Sequence, residues 1–178
     1  LFGSLWIGSH PTPLRNHYQV LYLDFSRILG NIDVLEEKFN SYCCDQLNDF
    51  IDTYRDDYPK ERVEEFLRSD DHGQKLNLLL NMSRKYNQQL YLIIDEYDNF
   101  TNIVLSEHGE AIYHNMTHAS GFYREVFKKF KGMFERIFLT GVSPVTLDDL
   151  TSGFNIGWNI SMAPELDKML GFSTEDVR

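Results

Sequence analysis

The sequence predicts an α/β fold in three layers, with helices on both faces of a mostly parallel sheet. Short apolar runs at residues 19–25, 90–94 and 136–139 each pass into polar residues, as buried strands do. The stretches between them repeat apolar residues at three- and four-residue steps, the period of a helix face. Strands that alternate with helices imply parallel pairing, because a parallel neighbour is reached only through a crossover.

The elements follow in order. Up to His17 the chain carries Gly3, Gly8, Pro11 and Pro13, so an irregular, exposed opening is expected over 1–17. QVLYLDF (19–25) is the first strand. After Gly30, the residues Ile32, Leu35, Phe39, Cys43, Leu47 and Phe50 mark one face of a long helix. Pro59 suits the first turn of another, with Val63, Phe66 and Leu67 inward. Residues 73–86 give a third through Leu76, Leu79 and Leu80. LYLII (90–94) is the second strand and runs straight into Asp95, Glu96, Tyr97 and Asp98. A helical stretch is expected near Ile103, and a stronger one over 121–134 with Phe122, Val126, Phe127, Phe130 and Phe134 inward. RIFL (136–139) is the third strand, followed by a turn through Thr140, Gly141, Val142, Ser143 and Pro144. Beyond it come a short helix at 146–150, an extended segment at 157–161, a helix over 164–170 and a capping box at 173–176. All of this reads as one domain, with its α/β core at 18–161 and a helical region starting at 162.

Composition narrows the function classes. At 178 residues, 42% hydrophobic and 14% aromatic, the chain can bury a core. A net charge of −10 disfavours direct binding of nucleic acid, whose phosphates attract basic surfaces. Arg124, Lys128, Lys129 and Lys131 read as a solvated helix face. No apolar run approaches the ~20 residues that span a bilayer, so no membrane partner is expected. Cys43 and Cys44 are adjacent and fall in a helical pattern, which points to free thiols and a reducing, cytoplasmic setting.

Chemistry is expected at the carboxyl ends of the strands, where ligands lie in parallel sheets. Asp95 and Glu96 follow an apolar strand directly. An acid held there can bind Mg²⁺ directly or through water, and the next carboxylate can deprotonate an attacking water. Nucleotide hydrolases build their Walker B element in this order. An acidic turn that solvates a strand end is the plainer alternative. Thr140 and Ser143 bring hydroxyls to the next strand end, suited to a γ-phosphate or a lytic water, or else simply to a turn around Gly141 and Pro144. Asp24 closes the first strand, either as an acid standing behind the metal-binding one or, more simply, as a turn cap with Ser26. His114 and His118 have the spacing of a zinc pair, without the intervening Glu of HExxH or further ligands nearby. No G-x-x-x-x-G-K-[ST] occurs, so these residues contain no phosphate-cradling loop of that kind.

LYLIIDEYDNF (90–100) followed by RIFLTGVSPVTLDDLTSGFNIGWNIS (136–161) resembles the AAA-ATPase-like family of bacterial proteins. The likeness starts at LFGSLWI and VLYLDFS (20–26) and continues through MAPELDKMLGFSTEDV (162–177), with TGVSPVTLDDLTSGFN its most specific part. The resemblance implies a P-loop NTPase fold whose first strand and Walker A loop lie upstream of Leu1. It implies a lid region starting at 162 and a PD-(D/E)xK nuclease-like domain downstream. Asp95 would be the Walker B acid, holding Mg²⁺ through water, and Glu96 the catalytic base. Thr140 would be the sensor, with Ser143 a second candidate. ATP and Mg²⁺ are the cofactors expected of the intact parent, with neither held tightly by these residues alone. The absent strand would leave a slot between the Arg136 strand and the Gly157 segment, open to self-association or a protein partner. The expected function is the Walker B and sensor portion of an ATPase module that drives an attached effector. A non-catalytic interaction scaffold is the first alternative. A stand-alone metal-dependent hydrolase using Asp24, Asp95 and Glu96 is the second.

Overall fold

A computed structural model describes residues 3–28, 32–117, 121–142, 159–161 and 163–166. Ser143, His118, Gly157 and the elements expected at 146–150 and 173–176 lie outside the described residues. Three strands, β1 (Tyr18–Asp24), β2 (Gln89–Asp95) and β3 (Arg136–Leu139), form a parallel sheet in the order β1-β2-β3. Register sets Leu21 beside Leu92 and Leu92 beside Ile137, then Leu23 beside Ile94 and Ile94 beside Leu139. Asp24 and Asp95 are partners at the carboxyl edge.

Alternation along the strands makes one face apolar, buried along β1 and β2 and partly buried along β3. Leu21, Leu23, Leu92 and Ile94 are buried there. The long helix α2 (Leu35–Thr53) supplies Cys43 and Leu47, α4 (His72–Lys85) supplies Leu76 and α7 (Phe122–Lys131) supplies Phe130; these four meet Leu21 and Leu23 around one small gap. Helix α7 is laid down by its own period, since Tyr123, Val126, Phe127 and Phe130 share one buried stripe. Its rings run on in edge contacts, Tyr123 to Phe127 at 4.9 Å and Phe127 to Phe130 at 5.8 Å. Each such side chain contributes roughly 1.5–3 kcal/mol by leaving water. On the opposite face Tyr91, Ile93 and Phe138 are half-buried, while Val20 and Tyr22 are exposed. The described helices α2, α4 and α7 therefore cover one of the two faces expected to be covered.

Two tyrosines close the free edge of β1. The Val20 N–H donates to the Tyr54 hydroxyl at 2.9 Å, and the Asp24 N–H donates to the Tyr42 hydroxyl at 2.6 Å. These donors would otherwise face outward unpaired, as on any edge strand.

Several expectations shift in detail. Pro59 stands just before α3 (Lys60–Leu67), not inside it. The opening holds a one-turn helix, α1 (Trp6–Ser9), on an otherwise exposed segment. After α5 (Asn99–His108), Gly109 at φ 84° turns the chain into α6 (Glu110–Thr117), which periodicity did not anticipate. Its buried residues, Tyr113, Met116 and Thr117, are too few to make a period. Residues 159–161, the described part of the expected extended segment, are not a strand, and Pro164–Leu166 is a 3-10 turn. Among the described residues no helix is long and apolar enough to cross a membrane.

Candidate functional site

The site is built where β2 and β3 end. Asp95 is the last residue of β2, beside Leu139-to-Thr140 at the end of β3. The Thr140 N–H continues the ladder by donating to the Ile94 carbonyl at 2.9 Å, and the Tyr97 N–H returns to the Thr140 carbonyl at 3.1 Å. With its backbone held from both sides, Thr140 places its hydroxyl on Asp95, donating to Oδ1 in a short hydrogen bond. Oδ1 also accepts the Glu96 N–H at 3.1 Å, and Oδ2 accepts the Tyr22 hydroxyl at 3.2 Å. A carboxylate offers roughly four acceptor positions. Three are taken among the described residues, leaving one on Oδ2. Partial loss of water at the strand end, and then the hydrogen bond and charge of Asp95, push the Tyr22 hydroxyl above its ordinary range.

Glu96 adopts the left-handed backbone at φ 53°. For a residue that is neither Gly nor Asn this costs on the order of 1–3 kcal/mol. Its N–H on Asp95 and its carbonyl, which accepts the Asn99 N–H at 3.0 Å, hold the bend. The half-buried Glu96 carboxylate has no hydrogen-bond or ion-pair partner among the described residues. A sharp bend after the strand thus presents a free acid next to a committed one.

Asp98, to which sequence reasoning assigned no role, is fully buried. An acid just before a helix reads as its cap, yet Asp98 makes no side-chain cap bond to α5. Its two oxygens instead accept the Val142 N–H at 3.1 and 3.2 Å, and Oδ2 accepts Asn102 Nδ2 at 2.9 Å. Gly141 makes the approach feasible: a Cβ there would lie 2.5 Å from both Asp98 Oδ1 and Tyr97 Cε1. Tyr123, fully buried on α7, donates its hydroxyl to the Tyr97 carbonyl from beneath.

A family profile now decides the grouping: that of the predicted AAA-ATPase family matches residues 1–151. The chain belongs to this AAA-ATPase-like family. No curated protein and no solved structure matches it. The AAA-ATPase-like match spans all three strands and the turn through Val142, and ends short of the 162–177 stretch that also resembled the family.

Other candidate residues go elsewhere. Asp24 is a turn cap: Oδ1 accepts the Ser26 N–H at 3.1 Å and the Ser26 hydroxyl at 2.6 Å, and Oδ2 accepts Arg27 Nε at 3.1 Å. These contacts, the Ser26 hydroxyl foremost, hold its carboxyl below the usual range. His114 faces Glu110 at 3.2 Å. Among the described residues no three His, Cys, Asp or Glu side chains converge as metal ligands. Cys43 and Cys44 are free, buried thiols, and burial pushes both upward.

Proposed function

We propose that these residues form the Walker B and sensor half of an ATP-hydrolysing module, with Asp95, Glu96 and Thr140 as its working groups. The observation that carries this reading is the convergence of the three on one sheet edge, with the Thr140 hydroxyl bonded to Asp95 and the Glu96 carboxylate left free. Membership of the AAA-ATPase-like family supports nucleotide and Mg²⁺ as the ligands.

The donor set suits Mg²⁺, which keeps several waters and takes only one or two carboxylates alongside substrate phosphates. Asp95, with one acceptor position left on Oδ2, would hold it through water. When bound, the ion would neutralise charge on the phosphates. The Thr140 hydroxyl spends its one donor on Asp95, so its oxygen is left to accept a hydrogen bond from a lytic water, whose other proton Glu96 would take. Ser143 is the second sensor candidate, three residues further along the sequence.

We place the phosphate-binding strand beside β3. The tyrosines along β1 support this, because they leave β3 as the edge at which the sheet can grow. The residues from 162 would open a lid, and the module would drive an attached effector such as a nuclease-like domain. A protein-binding scaffold is the second reading, supported by the side chains of Val20 and Tyr22, which are exposed among the described residues. Mg²⁺-dependent ATP hydrolysis by the full-length protein, compared with its Asp95→Ala/Glu96→Ala variant, separates the two. Loss of turnover in the variant supports the ATPase, and equal behaviour of both proteins supports the scaffold.

A further inference from the structure

We infer that Asp98 is a positioning residue for the proposed reaction, acting through the Val142 N–H to hold the Thr140 hydroxyl on Asp95. The inference rests on the ATPase reading above and adds a residue to it. Asp98 acts through its contacts with Val142 and Asn102. It is fully buried, and a carboxyl so placed is costly unless hydrogen bonds satisfy it. Two of the donors it accepts come from different elements: the Val142 N–H after β3 reaches both oxygens, and Asn102 Nδ2 on α5 reaches Oδ2. An acceptor-only group suits converging donors. An amide would turn its own N–H₂ toward one of them.

The consequence is geometric. The turn after β3 is tied to the turn after β2 at four successive points: the Ile94 carbonyl, Asp95 Oδ1, the Tyr97 N–H and the Asp98 carboxyl. The first three involve Thr140 itself. Asp98 is the fourth, and it keeps the chain from lifting away two residues later. Gly141, where a side chain would strike Asp98 and Tyr97, removes the obstacle to that closure. A hydroxyl that must lie within hydrogen-bond reach of a water is sensitive to shifts of this turn, since misplacement by about 1 Å can cost roughly a hundredfold in rate.

The test uses the full-length protein with ATP and Mg²⁺, comparing Asp98→Asn, Thr140→Val and the double variant. Asp98→Asn is expected to lower kcat roughly tenfold to a hundredfold while KM moves less than about twofold, and the double variant to fall no further than Thr140→Val. A residue that serves stability alone would give losses that multiply. If Asp98→Asn does not fold, Asn102→Ala takes its place. It removes one donor and leaves the acid, and is expected to lower kcat less, with no effect on the Thr140→Val background. Wild-type turnover that Asp98→Asn leaves unchanged, or losses that multiply, would overturn the inference alone. Absence of turnover in the wild-type protein would instead remove the ATPase reading and the inference with it.

Discussion

The carboxyl group of Asp98 accepts the backbone N–H of Val142 at 3.1 and 3.2 Å, joining two strand ends that lie 44 residues apart in sequence. Around that contact Tyr97, Gly141 and Tyr123 are packed as one unit, and the consequences can be measured without any nucleotide.

Gly141→Ala is expected to destabilise the fold by about 1–3 kcal/mol, because the new methyl must displace the Tyr97 ring and the Asp98 carboxyl, both 2.5 Å from its position. Gly132→Ala is the control. Nothing lies within 4 Å of a Cβ there, so its effect should stay within about 0.5 kcal/mol. Urea unfolding of the three proteins gives the comparison, and equal midpoints would mean that the turn gives way at no cost.

Tyr123→Phe keeps the buried ring and its contact with Phe127 but removes the donor to the Tyr97 carbonyl. A loss of roughly 1–3 kcal/mol is expected from leaving that carbonyl less satisfied in the interior. A smaller loss in a Gly141→Ala background would show that the two changes act on the same Tyr97 segment.

His72 carries a pH dependence with a definite sign. Burial, and to a lesser degree Lys129, hold its imidazole below the ordinary range against the opposing pull of Asp71 and Glu36. Nδ1 lies 2.7 Å from Asn40 Oδ1 and is the donor, while Nε2 is buried without a partner among the described residues. The unfolded chain therefore binds the second proton first, near the ordinary value of about 6.5. Stability from the neutral ring is complete above that pH, declines as pH falls below it, and is lost once pH passes the folded pKa. His72→Gln should show a smaller drop in urea midpoint between pH 7.5 and pH 5.5 than the parent. An equal drop would assign the pH dependence to other groups.

Much of the fold was legible because burial and period coincide. The short apolar runs through Leu21 and Leu23 and through Leu90, Leu92 and Ile94 mark buried strands, and the Phe-rich stripe of α7 can hardly be read otherwise. Helix α6 was not legible, since its two turns bury too few residues for a pattern. The exposure of Val20 and Tyr22 among the described residues was not legible, because an uninterrupted apolar run reads as buried on both sides. At the site, the strand-end rule pointed to Asp95, Glu96 and Thr140, and the Thr140 hydroxyl does lie on Asp95, while the roles of all three belong to the proposal above. The hydroxyl of Tyr22 and the carboxyl of Asp98 escaped notice because their partners, Asp95 and Val142, are 73 and 44 residues distant, and no local pattern encodes such pairs.

The most direct measurement is ATP hydrolysis and ATP binding by the full-length protein beside its Glu96→Gln variant, which keeps size and polarity but cannot accept the proton of water. The account predicts Mg²⁺-dependent turnover that Glu96→Gln lowers at least about a hundredfold, with ATP still bound. Turnover that survives the substitution, or a wild-type protein that neither binds nor hydrolyses ATP, would contradict it.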